Sequence, residues 1–95
     1  MRKRERLFLV NRLCDKFEAQ LLAGKDCRCI DFWNAACMDS DDPKFLDELM
    51  AELIALKLEH SRDRKAAVEM IQVEFPDQRE RIEQILSEIS DFRKR

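Results

Sequence analysis

Only 1 glycine and 2 prolines occur among 95 residues. Average composition would supply about seven and about five. So few turn-formers exclude a sandwich or barrel built from many short strands. A single glycine also excludes Gly-rich phosphate cradles of the GxGxxG or GxxxxGK type. Tyrosine is absent and histidine occurs once, at His60. Carboxylates remain, but they fall at spacings that form Glu–Lys or Glu–Arg pairs on helix surfaces, and no pair stands out for acid–base work. The chain therefore reads as non-enzymatic, with no cofactor. No apolar run approaches the roughly 18 residues of a membrane span. The basic opening leads only into Leu7-Phe8-Leu9-Val10 before Asn11 and Arg12, whereas a secretory signal needs roughly 7–15 apolar residues. The expectation is a cytoplasmic protein with no membrane contact and with reduced thiols at Cys14, Cys27, Cys29 and Cys37.

What is present is charge. Charged residues make up 40% of the chain and hydrophobic ones 45%. Ordinary apolar content with high charge points to amphipathic helices, because disorder would lower the apolar share as well. Eighteen Lys plus Arg against 20 Asp plus Glu give a net charge of −2. The charges are not evenly spread. Basic residues crowd both ends, at about 1–6 and 93–95, while Asp39, Asp41, Asp42, Asp47, Glu48 and Glu52 make the middle acidic.

Leu7, Val10, Cys14, Phe17 and Leu21 recur in steps of three and four, which predicts a helix from about Arg4 to Ala23. Gly24 falls where a left-handed C-terminal cap belongs. Asp26 is placed to cap a short second helix carrying Cys29, Ile30, Phe32, Trp33 and Cys37. Met38 to Asp42 reads as a polar loop. Asp42 then serves as N-cap and Pro43 as first helical residue of a third helix. That helix carries two adjacent stripes, Leu46-Leu49-Leu53-Leu56-His60 and Met50-Ile54-Leu58, as expected of a central element contacted by several others. A fourth helix is expected from about Ala66 to Glu74, anchored by Val68, Ile71 and Phe75 and stopped by Pro76. Asp77 and Glu80 form a capping-box-like pair before a last helix striped by Ile82, Ile85, Leu86, Ile89 and Phe92. The sum is one all-α domain over residues 1–95, a compact bundle of about five short helices around a Leu-rich third helix.

Three constellations invite chemical readings. Cys27-x-Cys29 with Cys37 and His60 has the residue types of a zinc site, but structural zinc usually shows two close ligand pairs. Cys29 and Cys37 read better as small apolar residues beside Phe32 and Trp33. Cys27 would sit at a helix N-terminus, which lowers a thiol pKa, with Asp26 opposing it. Asp39-Ser40-Asp41-Asp42 suggests a calcium loop, yet Lys44 and Met50 stand where that motif needs Gly and Glu. His60 reads as a packing or C-terminal capping residue. For nucleic acid, Arg79 and Arg81 are interleaved with Glu80, Glu83 and Glu88, so only the basic termini could touch phosphate.

Taken in order, Leu13-Cys14-Asp15-Lys16-Phe17-Glu18, Ala23-Gly24, Asp31-Phe32, the Leu-rich stretch Leu46 to Glu59 and Phe75-Pro76 form a recognisable series. They resemble the helical segment that precedes the catalytic domain in many planctomycete-type bacterial serine/threonine kinases. The resemblance spans about Leu13 to Leu86. Cys27 stands where that segment often has proline, and His60 where it often has an aromatic residue. Lys65-Ala66-Ala67 replaces its usual Pro-Thr run. The His-Arg-Asp and Asp-Phe-Gly elements of a kinase are absent. The resemblance therefore implies an accessory signalling module and carries over no catalytic residue.

The function expected is a helical interaction or regulatory module of kinase-type signalling, presenting a helix face to a protein partner, a tethered kinase domain or a second copy. The alternative is a nucleic-acid or transcription-associated module using its basic termini. Trp33, Phe45 and Phe92 are the candidate partner surface, since aromatic residues dominate interface hot spots.

Overall fold

The computed structural model describes residues 2–25 and 27–93, with side chains described up to Ile89. Five α-helices follow one another: α1 Lys3–Leu22, α2 Cys29–Asp39, α3 Pro43–Glu59, α4 Arg64–Glu74 and α5 Arg79–Arg93. A 3-10 turn, Pro76–Gln78, joins the last two. No strand occurs among the described residues. The fold is the all-α bundle that the periodicity predicts, and no described helix is long and apolar enough to cross a membrane.

Local chemistry sets most boundaries. Beyond α1, Gly24 adopts φ +77°. Lys25 N–H donates to the Gln20 carbonyl and Gly24 N–H to the Leu21 carbonyl, at 3.0 and 3.1 Å. This is a complete Schellman closure, and only glycine adopts its backbone without strain. At the start of α3, Asp42 Oδ1 accepts from the N–H groups of Lys44 and Phe45, with Pro43 in the first helical position. Ser40 Oγ accepts from Asp42 N–H, so the acidic stretch read as a loop is helix initiation chemistry. Helix α2 runs on through Met38 and Asp39 before Ser40 turns extended, which shortens that connection. Asp63 caps α4 through Ala66 N–H, starting it two residues earlier than expected. Asp77 lies within the 3-10 turn, so α5 begins at Arg79 without the expected capping box.

The core is organised on α3. Leu49, Met50, Leu53, Ile54 and Leu58 are buried, so both of its stripes are used. One side packs on α1 through Val10, Cys14 and Phe17; others meet α2 and α4. Ile71, Phe75, Ile82 and Ile85 close the core from α4 and α5. Phe17 and Phe32 meet edge to face with centroids 5.0 Å apart, joining α1 to α2.

Candidate interaction surface

The three aromatic residues proposed as surface anchors are placed differently. Phe45 is 3% exposed and belongs to the core. It lies four and eight residues before Leu49 and Leu53, on the same helical face, and that spacing was the signal for burial. Phe45 is therefore corrected from anchor to core residue. Trp33 is partly buried. Its Nε1–H donates to the Leu46 carbonyl at 2.8 Å, and its ring meets Phe75 edge to face at 6.0 Å. It ties α2 to α3 and to the end of α4. The Phe92 side chain lies outside the described residues.

The cysteines are packing groups with weak donor roles. Cys27 Sγ donates to Gln20 Oε1 at 3.1 Å, and Cys29 Sγ to the Leu53 carbonyl at 3.5 Å. Cys27 precedes the N-cap Arg28 and so stands outside the first turn of α2. Burial pushes the Cys29 thiol up to about 12, with Glu74 adding to the effect. Burial pushes Cys14 to about 12 as well, helped by the carboxylates of Glu52, Asp15 and Glu18. Both thiols stay protonated at neutral pH. Among the described residues, no three His, Cys, Asp or Glu side chains converge as a metal site would require. His60 occupies the C-cap of α3, and its Nε2 lies 2.9 Å from Glu18 Oε2. It acts as a polar latch between α1 and α3.

A carboxylate that sequence reasoning passed over has the more demanding position. The Glu74 side chain is 6% exposed, at the end of α4. Its Oε1 accepts from Ile30 N–H at 3.4 Å. Arg28, at the N-cap of α2, supplies no side-chain cap, so Glu74 does part of that work from another helix. Its Oε2 is buried without a hydrogen-bond partner among the described residues. Burial pushes this carboxyl up, against the Ile30 N–H, Arg28 and Lys57, which favour its charged form. Lys57 Nζ also donates to the Cys27 carbonyl at 2.7 Å, fixing the approach to α2 from below.

Large apolar side chains do reach solvent, in places the pattern did not mark. Val73 is 79% and Met70 48% exposed on the outer side of α4. With Arg28, Ala66, Glu69 and Glu74 they line a shallow hollow of about 430 Å³. On α1 Phe8 is 63% exposed, and Leu7, which the periodicity did mark as part of the apolar stripe, is 45% exposed because it lies at the edge of that face.

A separate trough of about 510 Å³ runs between α3 and α5, lined by Ala51, Ala55, Ile85 and Ile89 with Glu52, Glu59 and Glu88 around them. Its continuation toward α1 shares Ala51 and Glu52 and adds Leu7 and Asn11. Arg81 holds Asp47 through a two-pronged contact, with Nη2–Oδ2 at 2.7 Å. Arg6 Nε lies 3.1 Å from Glu48 Oε1, an ion pair angled too poorly to count as a hydrogen bond. Glu52, Glu59 and Glu88 pair with no cation among the described residues. These features define a five-helix all-α module whose described residues include two differently constituted surface depressions, one on α4 and one between α3 and α5. No family model, curated protein or solved structure matches the chain.

Proposed function

We propose that this chain is a non-enzymatic helical interaction module of bacterial serine/threonine-kinase-type signalling, docking on a kinase catalytic domain. The observation that carries the docking role is the adjacent exposed pair Met70 and Val73 beside the hollow at Arg28 and Glu74. Single exposed apolar side chains are ordinary, but a pair one helical turn apart beside a partly buried charge has the makeup of a small interface centre. The kinase context comes from the ordered resemblance between Leu13 and Leu86.

The test is titration calorimetry of the full chain against a purified catalytic domain of a planctomycete-type serine/threonine kinase, with autophosphorylation rate read in parallel. The expected result is a one-to-one complex of micromolar affinity, weakened about tenfold or more by the double substitution Met70→Asp, Val73→Asp. No heat at about 100 μM and no change in rate would exclude docking on that catalytic domain, because even small transient interfaces are detectable there.

A further inference from the structure

The outer side of α1 presents an exposed aromatic knob among cations, and the α3–α5 trough presents a hollow among carboxylates. Arg4, Phe8 and Arg12 are spaced by four residues, and all three are exposed. They form a row with one apolar knob between two cations, continued by Lys16, with Glu5 and Asp15 on its flanks. Arg4, Arg12 and Lys16 have no carboxylate in ion-pair reach among the described residues. The trough presents the converse: an apolar floor narrowed by only two alanine methyl groups on the α3 side, and carboxylates at Glu52, Glu59 and Glu88 that have no ion-pair partner among the described residues.

Spacing agrees as well. At 1.5 Å per residue, Arg4 and Arg12 are about 12 Å apart along α1, and Glu52 and Glu59 about 10.5 Å apart along α3. A helix seated with Phe8 over Ala51 and Ala55 brings one guanidinium toward each of these carboxylates, with Glu88 on the opposite wall. Leu7 and Asn11 line the α1 end of the same depression, so the trough opens beside α1, while Arg12 and Lys16 border a separate hollow toward α2 that also holds Asp39. Two copies related by a two-fold axis near Leu7 would insert Phe8 into each other, and the assembly closes at two.

We infer that a second copy of this chain occupies the trough, with the Arg4–Phe8–Arg12 row of each protomer seated between α3 and α5 of its partner. The inference rests on reading the chain as an interaction module, though not on the kinase context. Its assay contains no kinase, and it uses a face distinct from Met70 and Val73, so either proposal can fail without the other.

Sedimentation velocity on the full chain, from about 10 μM to about 1 mM, spans the range expected of a small interface. The expected result is a reversible monomer–dimer equilibrium, weakened several-fold between about 50 mM and about 500 mM NaCl as charge pairs are screened. Phe8→Asp should abolish the dimer. The triple substitution Glu52→Lys, Glu59→Lys, Glu88→Lys and the double substitution Arg4→Glu, Arg12→Glu should each weaken it about tenfold or more. Mixing those two charge-reversed proteins should restore a heterodimer, because both contacts are then matched again. Circular dichroism melts of each variant check that the surface changes leave it folded. A monomer throughout the concentration range overturns the proposal, as does a dimer indifferent to all three sets of substitutions. A monomer that binds a synthetic Leu/Lys amphipathic helix in the trough overturns it in favour of a foreign helix.

Discussion

Replacing Trp33 with phenylalanine removes one hydrogen bond and part of a ring system while leaving an aromatic edge against Phe75. The bond from Nε1 to the Leu46 carbonyl contributes about 1 kcal/mol net. The lost portion of a partly buried indole contributes up to about 1 kcal/mol more at 25 cal/mol per Å². Trp33→Phe should therefore cost about 1.5–2 kcal/mol, and Trp33→Ala about 3 kcal/mol, the low end for an aromatic truncation at a partly exposed site. A 95-residue domain has roughly 5–14 kcal/mol in all. At about 4–8 °C per kcal/mol, the melting temperature should fall by about 6–16 °C for Trp33→Phe and by about 12–24 °C for Trp33→Ala. Far-UV circular dichroism against temperature and urea measures this in the wild type and both variants. The lone tryptophan also makes fluorescence an independent probe of the wild-type transition. An unchanged denaturant slope confirms that stability moved and not compactness. A Trp33→Ala melt within about 2 °C of wild type would refute the argument and return this ring to the role of partner anchor.

Two further outcomes follow from the buried ionisable groups. The Glu74 carboxyl is pushed up by burial. Its contribution to stability is thus full below the unfolded carboxyl range, near pH 4.3 on average, and is lost as pH rises through the folded value. Glu74→Gln keeps a carbonyl for Ile30 N–H but cannot ionise. It should gain stability relative to wild type as pH rises above the unfolded carboxyl range, read as urea midpoints at each pH; parallel curves would contradict this. Cys14 and Cys29, held near about 12, should resist iodoacetamide in the native protein at pH values about 3–4 units lower, while partly exposed Cys37 labels first. Mass spectrometry of labelled peptides decides the order, and native labelling of Cys29 as fast as Cys37 would contradict the burial argument.

Several features encoded within one turn of helix were readable in advance, although the expected Asp77–Glu80 capping box does not form and Asp63, not the sequence around Ala66, sets the start of α4. The stripes of α3, the left-handed cap at Gly24 and the Asp42-Pro43 start depend only on neighbours a few residues away, and the structure has all three. Features that depend on distant neighbours were not. The amide of Ile30 is served by Glu74, 44 residues on, and nothing near Arg28 announces this. Trp33 looked like a free aromatic because its acceptor, the Leu46 carbonyl, lies on another helix. Phe45 was misjudged for a different reason: the stripe was begun one residue late, at Leu46, although Phe45-Leu49-Leu53 carries the same period. The trough could not be seen at all, since Ala51 and Ile85 line one hollow only when α5 folds back beside α3. The exposed Met70 and Val73 are invisible to any rule that places apolar residues inside.

The succession of helices packed around α3 has a kinetic consequence. α2 packs on α3, α3 on α4 and α4 on α5, each pair joined by a short connection, while α1 reaches α3 across only one intervening helix. Few segments must meet across long stretches of chain, so little loop-closure entropy is lost before native contacts begin to form. A chain ordered this way assembles rapidly from neighbouring parts, with α3 as the template that each new helix finds already close at hand.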